Sequence, residues 1–257
     1  MVNLKLITSN IRFANSGDGI HDWSARRPLL VEIYKNFDTD LLGTQEGRYE
    51  QIKELDAGLE NLVLIDNHRN WIDERMYPCL FINPETIAVH ASGDIWLSAT
   101  PDVSGSSSFE SAFPRLCTWA EISMKSSGLK MMIVNTHLDH ILHTTRVKQI
   151  EVLINEIRKI NQHPILIMGD FNESPLTEIR EKLISAFKLK DPWSEKRYPE
   201  ETSHHGFLGD KTIGDRIDWI LIPEKFECSE LRMEKRSFAN GVYPSDHYPL
   251  LATVIPK

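Results

Sequence analysis

The chain has 257 residues, 41% hydrophobic and 26% charged, enough for one large core or two small ones. Lys and Arg total 29 against 37 Asp and Glu, and a net charge of −8 argues against a basic stripe for duplex nucleic acid. Cys79, Cys117 and Cys228 are odd in number and widely spaced, which disfavours a disulfide framework or a Cys-based zinc site and fits a reducing, cytoplasmic location.

The opening residues lack the basic and apolar regions of a signal peptide and run at once into an apolar stretch, 4–11, that reads as a buried strand. Residues 24–37 carry Leu30, Ile33, Tyr34 and Phe37 at helical spacing, with Pro28 expected near the first turn. A second buried strand at 41–44 leads into Gln45-Glu46-Gly47, and 48–59 reads as another helix. Residues 78–82 and 87–90 look like a strand pair joined by the turn Asn83-Pro84-Glu85. The Ser- and Gly-rich segment 102–108 reads as a surface loop. Strands at 116–122 and 130–135 flank the turn Ser126-Ser127-Gly128. The longest helix spans 144–161, with a stripe of Val147, Ile150, Ile154 and Ile157. A short strand, Ile165 to Met168, follows, and Ser174 and Pro175 are read as N-cap and first residue of a further helix. Closing strands are expected at 217–222 and 250–255. No stretch of about 18 apolar residues predicts a membrane span. Turn-joined strands imply antiparallel pairing, so the pattern is α/β (α+β), a mixed sheet architecture with helices outside. No repeat or composition shift divides the chain, and 1–257 is expected to be a single domain.

Polar clusters sit at the ends of the apolar strands in the order Asn10; Glu46; His137 with Asp139; Asp170 with Asn172; Asp218; Asp246 with His247. Asn10 alone reads more readily as a turn cap. Glu46, beyond a buried strand, is either a surface acid or a carboxylate that needs a cation. Strand alternation puts Asn135, His137 and Asp139 on one face, a candidate site floor. Asp218, between Arg216-Ile217 and Trp219-Ile220, needs a cation or a histidine, and it could orient His247 as an acid orients the histidine of a hydrolase triad. His137 and His247 could both bond a substrate oxyanion. The inventory of carboxylates, amides and two histidines, without a nucleophilic Ser or Cys motif, favours an oxygen-loving cation, Mg²⁺ or Mn²⁺. It suits phosphoryl transfer to water.

The ordered segments Ser9-Asn10-Ile11-Arg12, Thr44-Gln45-Glu46, Asn135-Thr136-His137-Leu138-Asp139, Gly169-Asp170-Phe171-Asn172, Arg216-Ile217-Asp218 and Ser245-Asp246-His247 resemble the endonuclease/exonuclease/phosphatase superfamily over nearly the whole chain. Asp22-Trp23 with Arg26, Ile95-Trp96-Leu97-Ser98, Phe113-Pro114-Arg115 and His205-Gly206-Phe207 resemble a bacterial subgroup of it. The resemblance implies a four-layer sandwich, two mixed, mainly antiparallel sheets packed face to face with helices outside. It implies metal binding by Glu46, with Asn10 as ligand or as partner to the water network, and Asp246 as a further metal-side carboxylate. Asp170 would activate the attacking water, Asn172 would hold that water or a phosphate oxygen, and His137 would donate to a phosphate oxygen. His247, held by Asp218, would stabilise phosphoryl charge. Some nuclease branches place a tyrosine between the Glu and His motifs; none aligns here, and Arg115 lies in about that region as a phosphate contact or a surface ion pair. His205 is placed on the substrate side, Arg26 as a residue shaping pocket or fold, and Glu74 and Asp139 behind the site. The expected activity is hydrolysis of a phosphodiester or phosphomonoester in a small phosphorylated metabolite or a short single-stranded nucleic acid. A lipid phosphodiesterase and a catalytically inactive binding module on the same fold are the alternatives.

Overall fold

The computed structural model describes residues 3–209, 214–238 and 241–256, so the two ends of the expected single domain lie outside it. Twelve strands and five α-helices are described, in the chain order β1 (Leu4–Asn10), α1 (Trp23–Asn36), β2 (Leu41–Gly47), α2 (Tyr49–Gly58), β3 (Val63–Leu64), β4 (Tyr77–Ile82), β5 (Ile87–Trp96) and β6 (Leu116–Met124). They continue as β7 (Lys130–His137), α3 (His143–Ile160), β8 (Ile165–Asp170), α4 (Glu178–Phe187), β9 (Leu189–Lys190), α5 (Pro192–Glu195), β10 (Asp218–Pro223), β11 (Phe226–Met233) and β12 (Leu250–Pro256). One sheet has the order β11-β12-β1-β2-β4-β3 and the other β5-β6-β7-β8-β10-β9. Each contains one parallel pair, β1 with β2 and β7 with β8; the pairs that flank them are antiparallel. The parallel pairs are those whose strands are separated by a long helix, α1 or α3, as a parallel crossover requires.

The layers follow from side-chain alternation. Leu166 and Met168 of β8, Met131 and Ile133 of β7, and Leu4 and Leu6 of β1 meet in one core between the sheets. The alternate residues Ile165 and Ile167 pack under α3 and α4, while Ile7 and Leu42 pack under α1 and α2. Strands covered on both faces carry apolar residues at successive positions over most of their length, which is why they read as continuous runs rather than as alternating patterns.

Near one end this core turns polar. Asn135 of β7 donates across the gap to the carbonyls of Thr44 (2.9 Å) and Cys79 (2.8 Å), and its oxygen accepts from Gln45 at 2.7 Å. Asn135 therefore clips the two sheets together instead of flooring the site. The sheets approach so closely here that a Cβ on Gly43 would lie 2.7 Å from the Met168 methyl and 3.0 Å from Asn135 Cγ.

Several expectations are corrected. β4 and β5 do not form a pair: the Asn83 turn exists, but it carries the chain from one sheet to the other. Helix α4 begins at Glu178, because Ser174 and Pro175 form a separate turn that Ser174 holds through Leu176 N and Thr177 N. Pro28 lies in the second turn of α1, whose N-cap is Asp22. The strand β11, half exposed and irregular in its pattern, and the two-residue β3 and β9 are additions.

Replacing Asn135 by Leu is expected to remove its donors to the Thr44 and Cys79 carbonyls and one of the Gln45 amide's acceptors, Thr8 Oγ1 and Gly43 O remaining to it, and to lower stability by about 2–4 kcal/mol in urea unfolding. A loss below about 1 kcal/mol would show that the clip is dispensable. A second prediction concerns Asp94. Burial alone would raise its pKa, but Arg69, bonded at 2.7 Å to each carboxylate oxygen, and His68 hold it down at about 2. The folded pKa lies below the unfolded one, so this stabilisation is present above about pH 4 and is lost as pH falls toward 2. Asp94→Asn should therefore remove roughly 2 kcal/mol of the acid dependence of unfolding over that window. An unchanged slope would remove Asp94 from the acid response.

Candidate active site

The site is built on one row of the second sheet. The β7–β8 register sets His137 beside Asp170, and the β8–β10 register sets Asp170 opposite Asp218. All three side chains point between the sheets, on the same faces as Asn135, Met168 and Ile220. The other sheet supplies Asn10 at the end of β1 and Glu46 near the end of β2. Simple alternation would send Glu46 outward with Leu42 and Thr44. The register shift between Thr44 and Gly47, with Glu46 at φ 68°, re-aims it into the cavity.

Asp170 is at the centre and 1% exposed. Its Oδ2 accepts from Asn10 Nδ2 at 2.9 Å and lies 3.5 Å from His137 Nε2 and 3.9 Å from His247 Nε2. Its Oδ1 accepts from the Asn172 backbone N–H at 2.9 Å. Two neighbouring glycine and aromatic features fix this turn. A Cβ on Gly169 would lie 2.1 Å from the Thr136 carbonyl oxygen, and Phe171 stacks on Trp219 with ring centroids 4.3 Å apart. Asn172 follows at φ 49°, a left-handed conformation that Asn tolerates, and donates from Nδ2 to Leu138 O.

Protonation follows from the partners. His247 donates Nδ1–H to Asp218 Oδ2 at 2.8 Å. Burial disfavours its cation, but Asp218, Asp170 and Asp246 together overcome that and push its pKa up to about 10. Nε2 is left facing the cavity. His137 behaves oppositely. Burial, then Arg115 and His247, drive its pKa well below the usual imidazole value, so it is neutral. Arg115 Nη1 can only donate, at 2.9 Å to His137 Nδ1, so the His137 proton sits on Nε2 and points toward Asp170. Asp170 itself is raised to about 7 by burial and by Asp218 across the ladder. The result is one fixed cation, one neutral donor and one carboxyl poised near neutrality.

Asn10, Glu46, His137, Asp170, Asp218, Asp246 and His247 are thus brought together, and Asn172 and Arg115 line the same cavity of about 250 Å³. Arg115 is buried without a carboxylate partner; its other bond is to His140 Nδ1 at 3.3 Å. His205 is not brought in. It lies behind the cavity, stacked on Tyr248 with centroids 4.0 Å apart, and its backbone N–H supports Asp246 O. The neighbouring His204 lines the cavity instead, 3.8 Å from Asp246. Asp139 also turns away. β7 ends at His137, and the Asp139 carboxylate accepts from the backbone of Ala112, Ile141 and Leu142. Glu74 stands exposed at an adjoining pocket. Arg26 is fully buried and donates to the carbonyls of Ile11, Arg12, His21 and Pro244, tying the loop after β1 to the loop that carries Asp246. Arg12 and His204 were passed over in the sequence. Arg12 lay within the Ser9–Arg12 motif, so position alone could have flagged it; it lies 3.8 Å from Asp246.

The donor set fits a hard cation. Glu46 makes no ion pair among the described residues; its oxygens accept only from Asn10 Nδ2 (3.1 Å) and Phe13 N (3.1 Å). Two tighter groups, His204 with Asp246 and His247, and Asp170 with Asp218 and His247, both include His247. A protonated imidazole whose Nδ1 is already engaged is a poor ligand. The acidic residues of the site could therefore hold a metal ion through oxygen. Asn10 presents its NH₂ to Glu46 and Asp170, while its oxygen accepts from Arg12 N at 3.0 Å. In this arrangement it is a hydrogen-bond partner of the ligands.

The chain's similarities agree with this geometry. The pattern of the Endonuclease/Exonuclease/phosphatase family matches residues 7–247. A solved endonuclease/exonuclease/phosphatase from Bacteroides vulgatus is 26% identical, with a TM-score of 0.90 and 100% of both chains covered. The mannosyl-6-phosphatase of Bacteroides thetaiotaomicron is 24% identical, with a TM-score of 0.89 over 98% of this chain and 99% of that one. The human Nocturnin catalytic domain, solved with bound sulfate, is 19% identical, with a TM-score of 0.76 over 99% and 94%. No curated protein matches the chain significantly. No helix of the described residues is long and apolar enough to cross a membrane. With the family pattern running from β1 to the His247 loop and the fold shared end to end, the chain belongs to the endonuclease/exonuclease/phosphatase family.

Proposed function

We propose that the protein is a divalent-metal-dependent phosphoesterase that hydrolyses its substrate by in-line attack of an activated water. The observation that carries this reading is the convergence of three differently charged groups on one small cavity: the His247 cation, the neutral His137 donor and the raised carboxyl of Asp170. Mg²⁺ or Mn²⁺ held by Glu46 and Asp246 would supply charge neutralisation at the phosphate. The protein's own groups do the rest. Asp170, raised to about 7, orients the attacking water and takes its proton as the ester P–O bond breaks, and that proton is then returned to the departing alcohol oxygen. His247 donates Nε2–H to a phosphate oxygen and remains charged, because Asp218 fixes its other nitrogen. His137 donates Nε2–H to a second oxygen, and Arg115 holds its tautomer. Asn172 steadies the water or a phosphate oxygen.

A small phosphorylated metabolite is the substrate class favoured here, with a short single-stranded nucleic acid second. The cavity is narrow, the chain carries no excess of positive charge, and a fold relative is named a mannosyl-6-phosphatase. The three cysteines are free, which supports a reducing, cytoplasmic setting.

The deciding experiment measures hydrolysis of bis(p-nitrophenyl) phosphate and p-nitrophenyl phosphate with Mg²⁺ or Mn²⁺. Asp170→Asn is expected to lower turnover by about 10²–10⁴-fold with the fold intact. His247→Gln should cost about 10²-fold or more. Wild-type rates in either variant would overturn the role given to that residue, and silence of the wild type on both esters would favour a binding module. Glu46→Gln is expected to raise the metal concentration for half-maximal activity by about tenfold or more. The metal-induced rise in melting temperature should shrink in the same variant. An unchanged metal titration would remove Glu46 from the ligand set.

A further inference from the structure

Beside the reaction cavity lies a second pocket of about 420 Å³, and the two share Phe13, Phe113 and Arg115 in their walls. Its far side is formed by Arg48, which precedes α2, and Arg75. Among the described residues, Arg48, Arg75 and Arg197 are the arginines whose guanidinium groups make neither a hydrogen bond nor an ion pair, and two of these three meet in this pocket. The Nε of Arg48 is buried without a partner, and so is the Nε of Arg115 at the junction with the reaction cavity. Arg48 is held in place by packing alone, 5.1 Å above the Phe13 ring that Arg12 covers at 4.3 Å.

A buried guanidinium N–H without an acceptor is costly; Arg180 Nε and Arg216 Nη1 are also buried without partners, but each of those guanidinium groups is neutralised by a carboxylate through its other nitrogens. Arg69 binds Asp94, Arg146 binds Glu173 and Arg216 binds Asp191 and Glu200. Arg48 and Arg115 differ in that each combines a buried, unpartnered Nε with no carboxylate partner at all, and both line this one pocket. The rim also carries Asp73 and Glu74, but both are exposed and pair with neither arginine, so water screens them more than it screens the half-buried cations.

We propose that this pocket is a second anion subsite, which takes a phosphate group carried elsewhere on the substrate whose ester is cleaved in the adjoining cavity. Arg48 and Arg75 grip that group through their planar forks. Arg115 spans the two sites, with Nη1 and Nη2 on His137 and His140 and its side chain in the wall of both pockets. The subsite rests on the phosphoesterase reading only for which end of the substrate reacts. It makes bisphosphorylated compounds, or chains with a neighbouring phosphate, the preferred substrates.

Binding of methylphosphonate and of methylene-, propylene- and pentylene-linked bisphosphonates, measured by calorimetry at saturating Mg²⁺, tests this. At least one bisphosphonate should bind wild type about tenfold or more tightly than the monophosphonate, and Arg48→Gln/Arg75→Gln should erase that advantage. The same double variant should leave hydrolysis of p-nitrophenyl phosphate within about twofold of wild type, because that ester carries no second phosphate. If the double variant does not fold, Arg75→Gln alone should reduce the advantage by about threefold or more. The subsite is overturned if no bisphosphonate beats the monophosphonate in wild type, or if the variants keep the preference. Failure of the phosphoesterase reading would show separately, as no hydrolysis of either nitrophenyl ester by wild type.

Discussion

Two buried carboxylates sit directly across a β-ladder at the centre of the site, and the groups around them answer to that constraint. Asp170 and Asp218 are register partners on adjacent strands, both almost fully buried. Like charges so placed repel, and burial forbids water from screening them. The surroundings can be read as the answer to that repulsion. His247, arriving from the other side of the sandwich, gives one carboxylate a charged partner; the Asn10 amide and the neutral His137 serve the other. Burial first, and the charge of Asp218 second, show up as the raised pKa of Asp170. Neither sheet holds a complete set, so the arrangement exists only once the two are packed.

Much of this could be read from the chain because the strands buried on both faces are short and apolar and stop abruptly at polar residues. That contrast located Asn10, His137, Asp170 and Asp218, and their order carried the family resemblance. What stayed hidden depended on backbone direction or on distant pairing. Asn135 and His137 share a face as alternation predicts, yet only the facing sheet reveals that Asn135 is met by carbonyls and His137 by a cavity. Asp139 lies two residues further on, where the strand has ended and alternation no longer applies. Glu46 points inward against its parity because of a bulge. Between His204 and His205 the sequence offers no preference; an isolated bridge from His204 to His247 decides which ring faces the site.

The arginines divide into two populations with different physics. Arg26, Arg69 and Arg216 are buried and each bonds several acceptors, so each works as a rigid multi-pronged strut. Arg26 is the unusual member. It binds carbonyls rather than a carboxylate, and burial brings its pKa down to about 10. Its role is geometric: together with the Ser245 Oγ bond to Asn10 O, it ties the loop bearing Arg12 to the loop bearing Asp246. Arg48, Arg75 and Arg115 are the contrasting set, cations placed around open space.

The polar clip at Asn135 and the close approach at Gly43 carry a wider implication. The groups proposed to bind metal lie on one sheet and its loops, while His137, Asp170 and Asp218 lie on the other. The thickness of the sandwich is therefore the calibre of the reaction centre. A bulkier side chain deep in the inter-sheet core would part the two halves like a jaw, even from many residues away. Interior volume in this protein is thus constrained by chemistry as well as by packing, and drift in the core should be tolerated least on the face where the sheets meet.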